Sequence, residues 1–288
     1  MKKPTIISIC TAKGGVGKTT TTVALSEFLA SQGYKVLVID ADYQTNCTVA
    51  LIGNQMWDKL NGQDKTISSL LEDAINEGQP GYTRKFDSSC IYKKASNVKS
   101  ALTGSIDLIP ASPKMAKVKT LLYKAGTHSA YGSVNKLNFL EWGLRDILPQ
   151  YDFVLIDTHP DIDEILHAAL YISDYYLMPV IPDAVSSYGI KTMSTEIVQF
   201  GNECRRDIKQ LGVLVSMYRE INVHRTYLQI IAGMPGVKLF DTKVPLRAGV
   251  TQALEYELAV NTLKQKYNGA QVTEIYEDLT KEVLKRCQ

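Results

Sequence analysis

The residue types best suited to chemistry lie in one run, Thr11-Ala12-Lys13-Gly14-Gly15-Val16-Gly17-Lys18-Thr19-Thr20. Glycines let a backbone turn tightly with its N–H groups pointing inward, and a helix that begins near Lys18 adds the positive end of its dipole. Such a loop binds polyphosphate: Lys18 reaches the β- and γ-phosphates of a nucleoside triphosphate, and the Thr19 hydroxyl ligates Mg²⁺. The predicted nucleotide-binding residues are Lys13, Gly14, Gly15, Val16, Gly17, Lys18, Thr19 and Thr20.

The loop departs from the standard pattern G-x-x-x-x-G-K-[ST], because Ala12 stands where glycine is expected and Lys13 adds a second lysine. It resembles the loop K-G-G-x-G-K-[ST] of the ParA/MinD family of deviant Walker ATPases. In that family the extra lysine crosses a dimer interface to the partner's nucleotide. The resemblance therefore implies catalytic roles for both Lys13 and Lys18.

Two apolar runs end in carboxylates. The run from Lys35 ends in Asp40 and Asp42, and the run from Tyr151 ends in Asp157 and Thr158. Carboxylates at the carboxyl ends of strands face the ligand crevice of an open α/β sheet. Asp40 and Asp42 are two residues apart and so point to the same side, one near Mg²⁺ and the other near the γ-phosphate. The predicted metal ligands are Thr19, Asp40 and Asp157.

The segment after Asp42 resembles the family's switch D-x-D-P-Q-G-N-A-[ST], in which the second aspartate positions the attacking water. Asp42 is therefore the predicted hydrolytic residue. Tyr43 replaces the family's proline and Thr45 its glycine. After Asp157, Thr158-His159-Pro160 departs from the family's D-x-P-P-S. The acids Asp161, Asp163 and Glu164 that follow either tune metal or partner binding or begin a helix, where acids are favoured.

Two later segments resemble the family's base-binding strands. The run Leu211–Met217 is similar to G-V-L-x-T-M-Y, and Lys238–Arg247 is similar to the last strand and its proline turn. The resemblance implies that Met217 and Pro245 lie near the adenine. In several partition ATPases a basic residue just after that proline touches DNA, and Arg247 occupies the comparable place.

Further apolar runs at Thr5–Cys10, Ser105–Ser112 and Asp174–Pro182 predict three more strands. Strands that alternate with helices, with the loop at the end of the first strand, predict an α/β fold. We expect a P-loop NTPase with a mostly parallel twisted sheet flanked by helices on both faces. We expect one domain over 1–288, with a variable basic insertion at about 54–104 and a closing helix at about 272–285.

Composition fits an ordinary globular chain, with 45% hydrophobic and 22% charged residues among 288. The start Met1-Lys2-Lys3-Pro4 leads into the first strand without an apolar signal core, and no run of about 18 apolar residues occurs. We expect a cytoplasmic protein. The five cysteines include no C-x-x-C pair, so neither a disulfide framework nor a zinc site is indicated.

The net charge of +2 is unevenly distributed. Between Tyr82 and Lys124 nine basic residues face two acidic ones, which gives +7 and leaves −5 for the rest of the chain. An excess of this size either attracts a polyanion or forms a solvated face.

The resemblance as a whole implies a ParA-type ATPase that forms a homodimer around ATP and Mg²⁺, binds DNA without sequence preference and segregates a plasmid or chromosome. It further implies weak intrinsic hydrolysis, stimulation by a ParB-type centromere-binding partner, and nucleoid association. One alternative is a MinD-like ATPase of the membrane surface, since Lys281, Lys285 and Arg286 give the tail some basic amphipathic character. Another is a metabolic P-loop enzyme of the dethiobiotin synthetase type.

Overall fold

Seven parallel strands in the order β3-β2-β4-β1-β5-β6-β7 form the central sheet of the computed structural model. The structure describes residues 3–76, 80–117, 138–256 and 260–288. Six of the strands arise from predicted apolar runs, β7 arises from the segment Lys238–Arg247 that resembles the family's last strand, and the α/β P-loop fold is confirmed. The strands are β1 (Thr5–Ile9), β2 (Lys35–Ala41), β3 (Ser105–Ile109), β4 (Phe153–Thr158), β5 (Tyr175–Val180), β6 (Lys209–Tyr218) and β7 (Leu239–Pro245).

Helices cover both faces of this sheet, as parallel strands buried on both sides require. The described helices are α1 (Lys18–Ser31), α2 (Asn46–Ile52), α3 (Asn54–Gly62), α4 (Ile67–Asn76), α5 (Phe139–Leu144), α6 (Glu164–Ile172), α7 (Ala184–Cys204), α8 (Asn222–Ala232), α9 (Ala248–Gln252), α10 (Leu263–Lys266) and α11 (Ala270–Arg286).

Alternate strand residues pack into separate cores on the two faces of the sheet, because successive side chains of a strand point to opposite faces. Val36 and Val38 join the core beneath α1 and α11, whereas Leu37 and Ile39 join the core beneath α4, α5 and α6. By the same alternation Asp40 and Asp157 point toward the face that carries α1. The strand register therefore places these carboxylates beside the phosphate-loop helix.

A buried ionic cluster joins the middle of α1 to the end of the chain. The Glu27 carboxylate accepts hydrogen bonds from Lys266 Nζ at 2.6 Å, Ser96 Oγ at 2.7 Å and Tyr267 Oη at 2.8 Å. Lys266 Nζ also donates to Asn97 Oδ1 at 2.7 Å. Both charges of this pair are buried, and both are hydrogen-bonded as buried charges must be.

The helix α11 packs across α1 and β7 and closes this face of the fold. Its apolar side chains Val272, Tyr276, Leu279 and Val283 are buried. The Arg286 guanidinium donates to backbone carbonyls of β6 and β7 and lies 4.0 Å from the centroid of the Phe240 ring. The predicted closing helix is thus built into the core at 270–286.

The basic residues of the segment 82–124 are partly neutralised by acids outside and inside it. Ion pairs join Arg84 to Asp73, Lys85 to Glu72, Lys93 to Asp107 and Lys114 to Asp64. Lys119 and Lys124 lie outside the described residues. Within the described ranges, no helix is both long and apolar enough to cross a lipid bilayer.

Candidate nucleotide-binding site

The loop between β1 and α1 surrounds an open concavity at the carboxyl edge of the sheet. Gly15 and Gly17 adopt positive φ angles of +70° and +87°, which residues other than glycine rarely adopt. A Cβ atom added at Gly14 or Gly15 would meet no atom within 4 Å, so these glycines face empty space. The cavity they line has a volume of about 600 Å³. That space and the N-terminus of α1 suit a polyphosphate.

Lys18 and Thr19 start α1 and point to different partners. The Lys18 side chain is largely buried, and its Nζ lies 3.5 Å from the Lys13 carbonyl oxygen across the loop. Burial lowers the pKa of Lys18, and the nearby carboxylates of Asp157 and Asp42 oppose that shift. The loop therefore holds a positive charge that water solvates poorly, which favours an anionic ligand.

The Asp157 carboxylate at the end of β4 is held by two threonines of α1. Thr19 Oγ1 donates to Oδ2 at 2.7 Å, and Thr22 Oγ1 donates to Oδ1 at 3.0 Å. Burial raises the pKa of Asp157, although both hydrogen bonds and the charge of Lys18 oppose the shift. Thr19 and Asp157 together present hard oxygen donors, the type that Mg²⁺ prefers, so the chemistry of this donor set fits the predicted metal.

Asp40 lies next to Asp157 in the sheet but faces inward. Its side chain has no exposed surface, and it accepts hydrogen bonds from Asp42 N at 3.1 Å and from Thr48 N at 2.8 Å and Oγ1 at 2.6 Å. Burial, followed by the charge of Asp157, raises the pKa of Asp40. Its predicted role as a metal ligand stays a prediction. The described contacts give it another role, because they fix the first turn of α2 against β2.

Asp42 and the residues after it form the wall of the cavity opposite α1. Asp42 Oδ1 accepts a hydrogen bond from Gln44 N at 2.9 Å, and Thr45 N donates to the Asp42 carbonyl at 2.9 Å. Thr45 has a φ of +63° and ψ of 13°. This left-handed conformation explains why the family pattern has glycine there, and a β-branched residue in it costs about 1–2 kcal/mol. The tight turn holds Asp42 at the cavity.

Lys13 points away from Lys18. Its Nζ donates to Asp183 Oδ2 at 2.6 Å, while Asp183 Oδ1 accepts from Ser186 N at 2.8 Å and so caps α7. Burial alone would raise the pKa of Asp183, but the hydrogen bonds from Lys13 and Ser186 outweigh it and lower the pKa. About a third of each of the two side chains is exposed. The two lysines of the loop therefore have separate environments.

A smaller cavity of about 170 Å³ adjoins the loop between α1, β7 and α11. Met217, with a φ of +50°, and Pro245 lie in its wall, and their contact with the adenine stays a prediction. Thr20 and Leu254 line both cavities, so the two cavities are adjacent. Arg247 is exposed at the rim of the smaller cavity, where its guanidinium donates to Gln271.

The acids after Asp157 are placed as a helix start. Asp163 caps α6, since its Oδ1 accepts from Ile165 N and Leu166 N, each at 3.0 Å. Its Oδ2 lies 2.7 Å from His159 Nε2. Asp161 is exposed. Of the two roles expected for these acids, the contacts of Asp163 therefore fit the start of a helix.

Several residues of the site are absent from the sequence prediction. Asp183 pairs with the second lysine, and Trp57, Leu254 and Tyr276 complete the walls of the two cavities. A signal for Asp183 exists, because an acid that follows a buried strand and precedes a helix commonly caps that helix. For the three apolar residues no local signal exists, since their neighbours in space are far away in sequence.

The parallel sheet, the glycine loop at the end of its first strand and the Thr19–Asp157 contact define the class: this is a P-loop ATPase. The family model described as AAA domain (AAA_31) matches residues 4–210, and the chain belongs to this family. The resemblance to ParA-type ATPases is confirmed by proteins that are similar to this chain.

One relative is the chromosome partitioning protein ParA of Caulobacter vibrioides, 26% identical over 98% of this chain and 94% of the relative. Two solved structures have the same fold. A putative plasmid partition protein from Borrelia burgdorferi, bound to AMPPNP, matches with a TM-score of 0.70 and 21% identity over 98% of this chain and 99% of that one. Cobyrinic acid a,c-diamide synthase from Mycobacterium smegmatis, bound to ADP and magnesium, matches with a TM-score of 0.71 and 19% identity over 98% and 94%. The fold is thus shared by partition proteins and a biosynthetic enzyme.

Proposed function

We propose that this protein is a DNA-partition ATPase that dimerises around ATP and magnesium, binds DNA without sequence preference in that state, and releases both the partner and the DNA after hydrolysis. The observation that carries the proposal is that the two lysines of one loop have different partners. Lys18 is buried and lines the cavity, whereas Lys13 is partly exposed and is paired with Asp183. A second lysine that does not line its own chain's cavity suits a site that is completed by a second copy of the chain.

The residues around the cavity are suited to hold ATP and its metal. The loop amides and Lys18 would bind the phosphates, and Thr19 with Asp157 would hold magnesium. Bound magnesium supplies positive charge that offsets the charge on the phosphates. Pro245 and Met217 would contact the adenine in the smaller cavity.

Asp42 is the residue that we propose to position the attacking water. It lies in the cavity wall and is held by the turn that ends at Thr45. A carboxylate fixed beside the γ-phosphate orients water and accepts its proton. Asp42→Ala should leave ATP binding intact and trap the ATP-bound dimer.

Dimerisation is supported by exposed apolar side chains on the same edge as the loop. Ile162 follows β4, Val185 and Tyr188 follow β5, and Ile221 and Val223 follow β6. Val185 is 62% exposed and Tyr188 74% exposed. Apolar patches of this kind mark surfaces that bind another protein. A second copy of this chain would cover them while Lys13 reaches its nucleotide.

The proposed binding to DNA is supported by exposed basic residues. Arg247 lies at the same edge, and the exposed Lys243 lies over the Tyr218 ring at 5.3 Å from its centroid. These residues and basic residues of the segment 82–124 would contact phosphates, so binding should weaken steeply with salt. A ParB-type partner that stimulates hydrolysis, and a cytoplasmic, nucleoid-associated location, belong to the same proposal.

The test is size-exclusion chromatography and DNA retention with ATP, ADP and no nucleotide. ATP alone should produce a dimer that stays on DNA at low salt. Lys18→Ala should abolish nucleotide binding, and Lys13→Ala should keep some binding but fail to dimerise with ATP. A Lys13→Ala variant that dimerises normally would contradict a dimer in which Lys13 reaches the partner's nucleotide.

The proposed DNA-binding role of Arg247 has its own control. Arg247→Ala should reduce retention and lower the slope of log affinity against log salt by about 0.9 for each DNA phosphate that the variant no longer neutralises. Arg205→Ala removes an exposed arginine at the end of α7, on the opposite edge of the sheet, and should change neither. Equal retention by wild type and Arg247→Ala would remove Arg247 from the interface.

The membrane-surface alternative predicts a free amphipathic tail. The apolar side of α11 is instead buried against α1 and β7, and Arg286 is bonded to the sheet. This favours partition over the MinD-like function. ATP-dependent flotation with liposomes that is abolished by removal of about the last 12 residues would reverse that preference.

A further inference from the structure

We infer that Asp183 is an autoinhibitory residue that holds Lys13 within its own chain, so that dimerisation requires an anion strong enough to displace it. This inference rests on the proposed ATP-dependent dimer. It assigns a function to Asp183, which neither the loop motif nor the switch segments include.

The geometry makes Asp183 a preformed acceptor. One carboxylate oxygen caps α7 through Ser186 N at 2.8 Å, which fixes the side chain, and the other receives Lys13 Nζ at 2.6 Å. The two residues are 170 positions apart in sequence, but they follow the paired strands β1 and β5. The contact thus spans two adjacent loops of the nucleotide edge.

The pair also lies where a second copy would approach. Val185 and Tyr188 follow Asp183 within the first turns of α7 and are strongly exposed. A partner that covers these side chains comes close to Lys13. One lysine ammonium cannot keep a full contact with Asp183 and also reach a phosphate across the interface, so the contact within the chain competes with the contact between chains.

Competition of this kind discriminates between nucleotides. A terminal phosphate carries more negative charge than the single charge of a carboxylate, and it displaces Asp183 more readily than the shorter nucleoside diphosphate does. The ion pair would therefore set a threshold that ATP exceeds and ADP does not. Asp183 acts by positioning Lys13 and touches no nucleotide itself.

The test uses Asp183→Asn in the full chain, because asparagine caps helices as well as aspartate and removes only the charge. Asp174→Asn is the matched control: Asp174 also pairs with a lysine, Lys3, but it precedes β5 at the opposite end of the strand. Sedimentation velocity with magnesium and ATPγS or ADP measures the dimer dissociation constant.

Asp183→Asn should tighten the ATPγS dimer by about 2- to 30-fold, since two partly exposed pairs are released in each dimer. It should also raise the dimer fraction with ADP, whereas Asp174→Asn should change neither. The double variant Lys13→Ala/Asp183→Asn should behave like Lys13→Ala. Unchanged or weaker dimerisation of Asp183→Asn, with its folding confirmed by circular dichroism, would overturn the inference.

A second measurement needs no dimer. Acetylation of Lys13 by an N-hydroxysuccinimide ester, followed by peptide mass spectrometry in nucleotide-free protein, should be several-fold faster in Asp183→Asn than in wild type. Equal rates would overturn the inference. Faster acetylation, with no ATP-driven dimer in any variant, would keep the contact within the chain but refute the proposed dimeric function.

Discussion

Two clusters of buried charge contact the same helix, α1, and they are built in opposite ways. In the middle of the helix, Glu27 faces Lys266 and its remaining hydrogen-bond sites are satisfied by Ser96 and Tyr267. At the N-terminus, Asp40 and Asp157 are adjacent carboxylates whose pKa values are raised, with Lys18 nearby. The first cluster is electrostatically complete within the chain. The second carries a local excess of carboxylates beside an open cavity, which a bound cation would compensate.

The Glu27 cluster thus stabilises the fold, whereas the Asp40–Asp157 cluster is suited to bind a ligand. A satisfied buried pair resists change because removal of either member leaves an uncompensated charge. A cluster of like charges costs stability in the absence of its ligand and recovers it when the ligand binds. Substitutions in the two clusters should therefore have different signatures.

The largest effect is expected from Glu27→Ala. It leaves the Lys266 ammonium buried without a carboxylate and should lower the free energy of unfolding by about 3–5 kcal/mol. Urea denaturation measures the change. The double variant Glu27→Gln/Lys266→Met removes both charges and should be much closer to wild type. A Glu27→Ala variant within about 1 kcal/mol of wild type would contradict the view of a tightly coupled pair.

Lys18→Ala should show the opposite signature. Nucleotide affinity should fall by at least about 100-fold, since the variant has no ammonium to make a charge-assisted hydrogen bond to the phosphates. The free energy of unfolding without ligand should stay within about 1 kcal/mol of wild type, because the desolvation cost of Lys18 and its attraction to the carboxylates oppose each other. Calorimetric titration with ATP and urea denaturation distinguish the two quantities. A large decrease in stability would assign Lys18 a structural role.

The pH dependence tests the crowding of Asp40 and Asp157. Both have folded pKa values above the ordinary value of 3.8, so the folded state binds more protons than the unfolded state. Their contribution to stability is therefore complete below pH 3.8 and is lost as the pH rises through their raised values. Asp40→Asn should reduce this decline in magnesium-free, nucleotide-free protein, relative to wild type. Asp146→Asn, an exposed carboxylate, should not. An identical pH profile for wild type and Asp40→Asn would show that the charged carboxylates of Asp40 and Asp157 do not destabilise the folded state.

The smallest effect is expected at Thr45. Thr45→Asn keeps a polar side chain and tolerates the left-handed conformation better, so it should raise the free energy of unfolding by about 0.5–1 kcal/mol. Alanine lacks the short polar side chain that stabilises asparagine in the left-handed region, so Thr45→Ala should show less gain. Thermal denaturation of the two variants provides the measurement, and destabilisation by Thr45→Asn would show that the threonine hydroxyl contributes a favourable contact.

The sequence predicts the parts of this molecule that are set by local pattern. Apolar runs predict six of the seven strands, a resemblance over Lys238–Arg247 predicts the seventh, and the glycine spacing predicts the loop that carries Lys18 and Thr19. The register then follows: with β2 and β4 paired, Asp40 meets Asp157. These features depend on residues close in sequence or on the alternation of a strand.

Contacts between distant segments are not predicted. The pairs Lys13–Asp183 and Glu27–Lys266 join residues separated by 170 and 239 positions, and an isolated charge in the sequence does not specify its partner. Asp40 shows a related limit. Strand alternation places it on the same side as Asp42, but only the fold reveals that Thr48 satisfies its carboxylate and removes it from the cavity surface.

The position of α11 has a consequence for synthesis on the ribosome. The phosphate loop is translated well before Tyr276 of the smaller cavity, and Lys266 follows its partner Glu27 by 239 residues. A nascent chain that ends before residue 260 has the loop but neither a complete base pocket nor a compensated Glu27. Nucleotide binding should therefore begin only when residues 260–286 have emerged from the exit tunnel, which would delay the proposed ATP-driven dimerisation until this region has been synthesised.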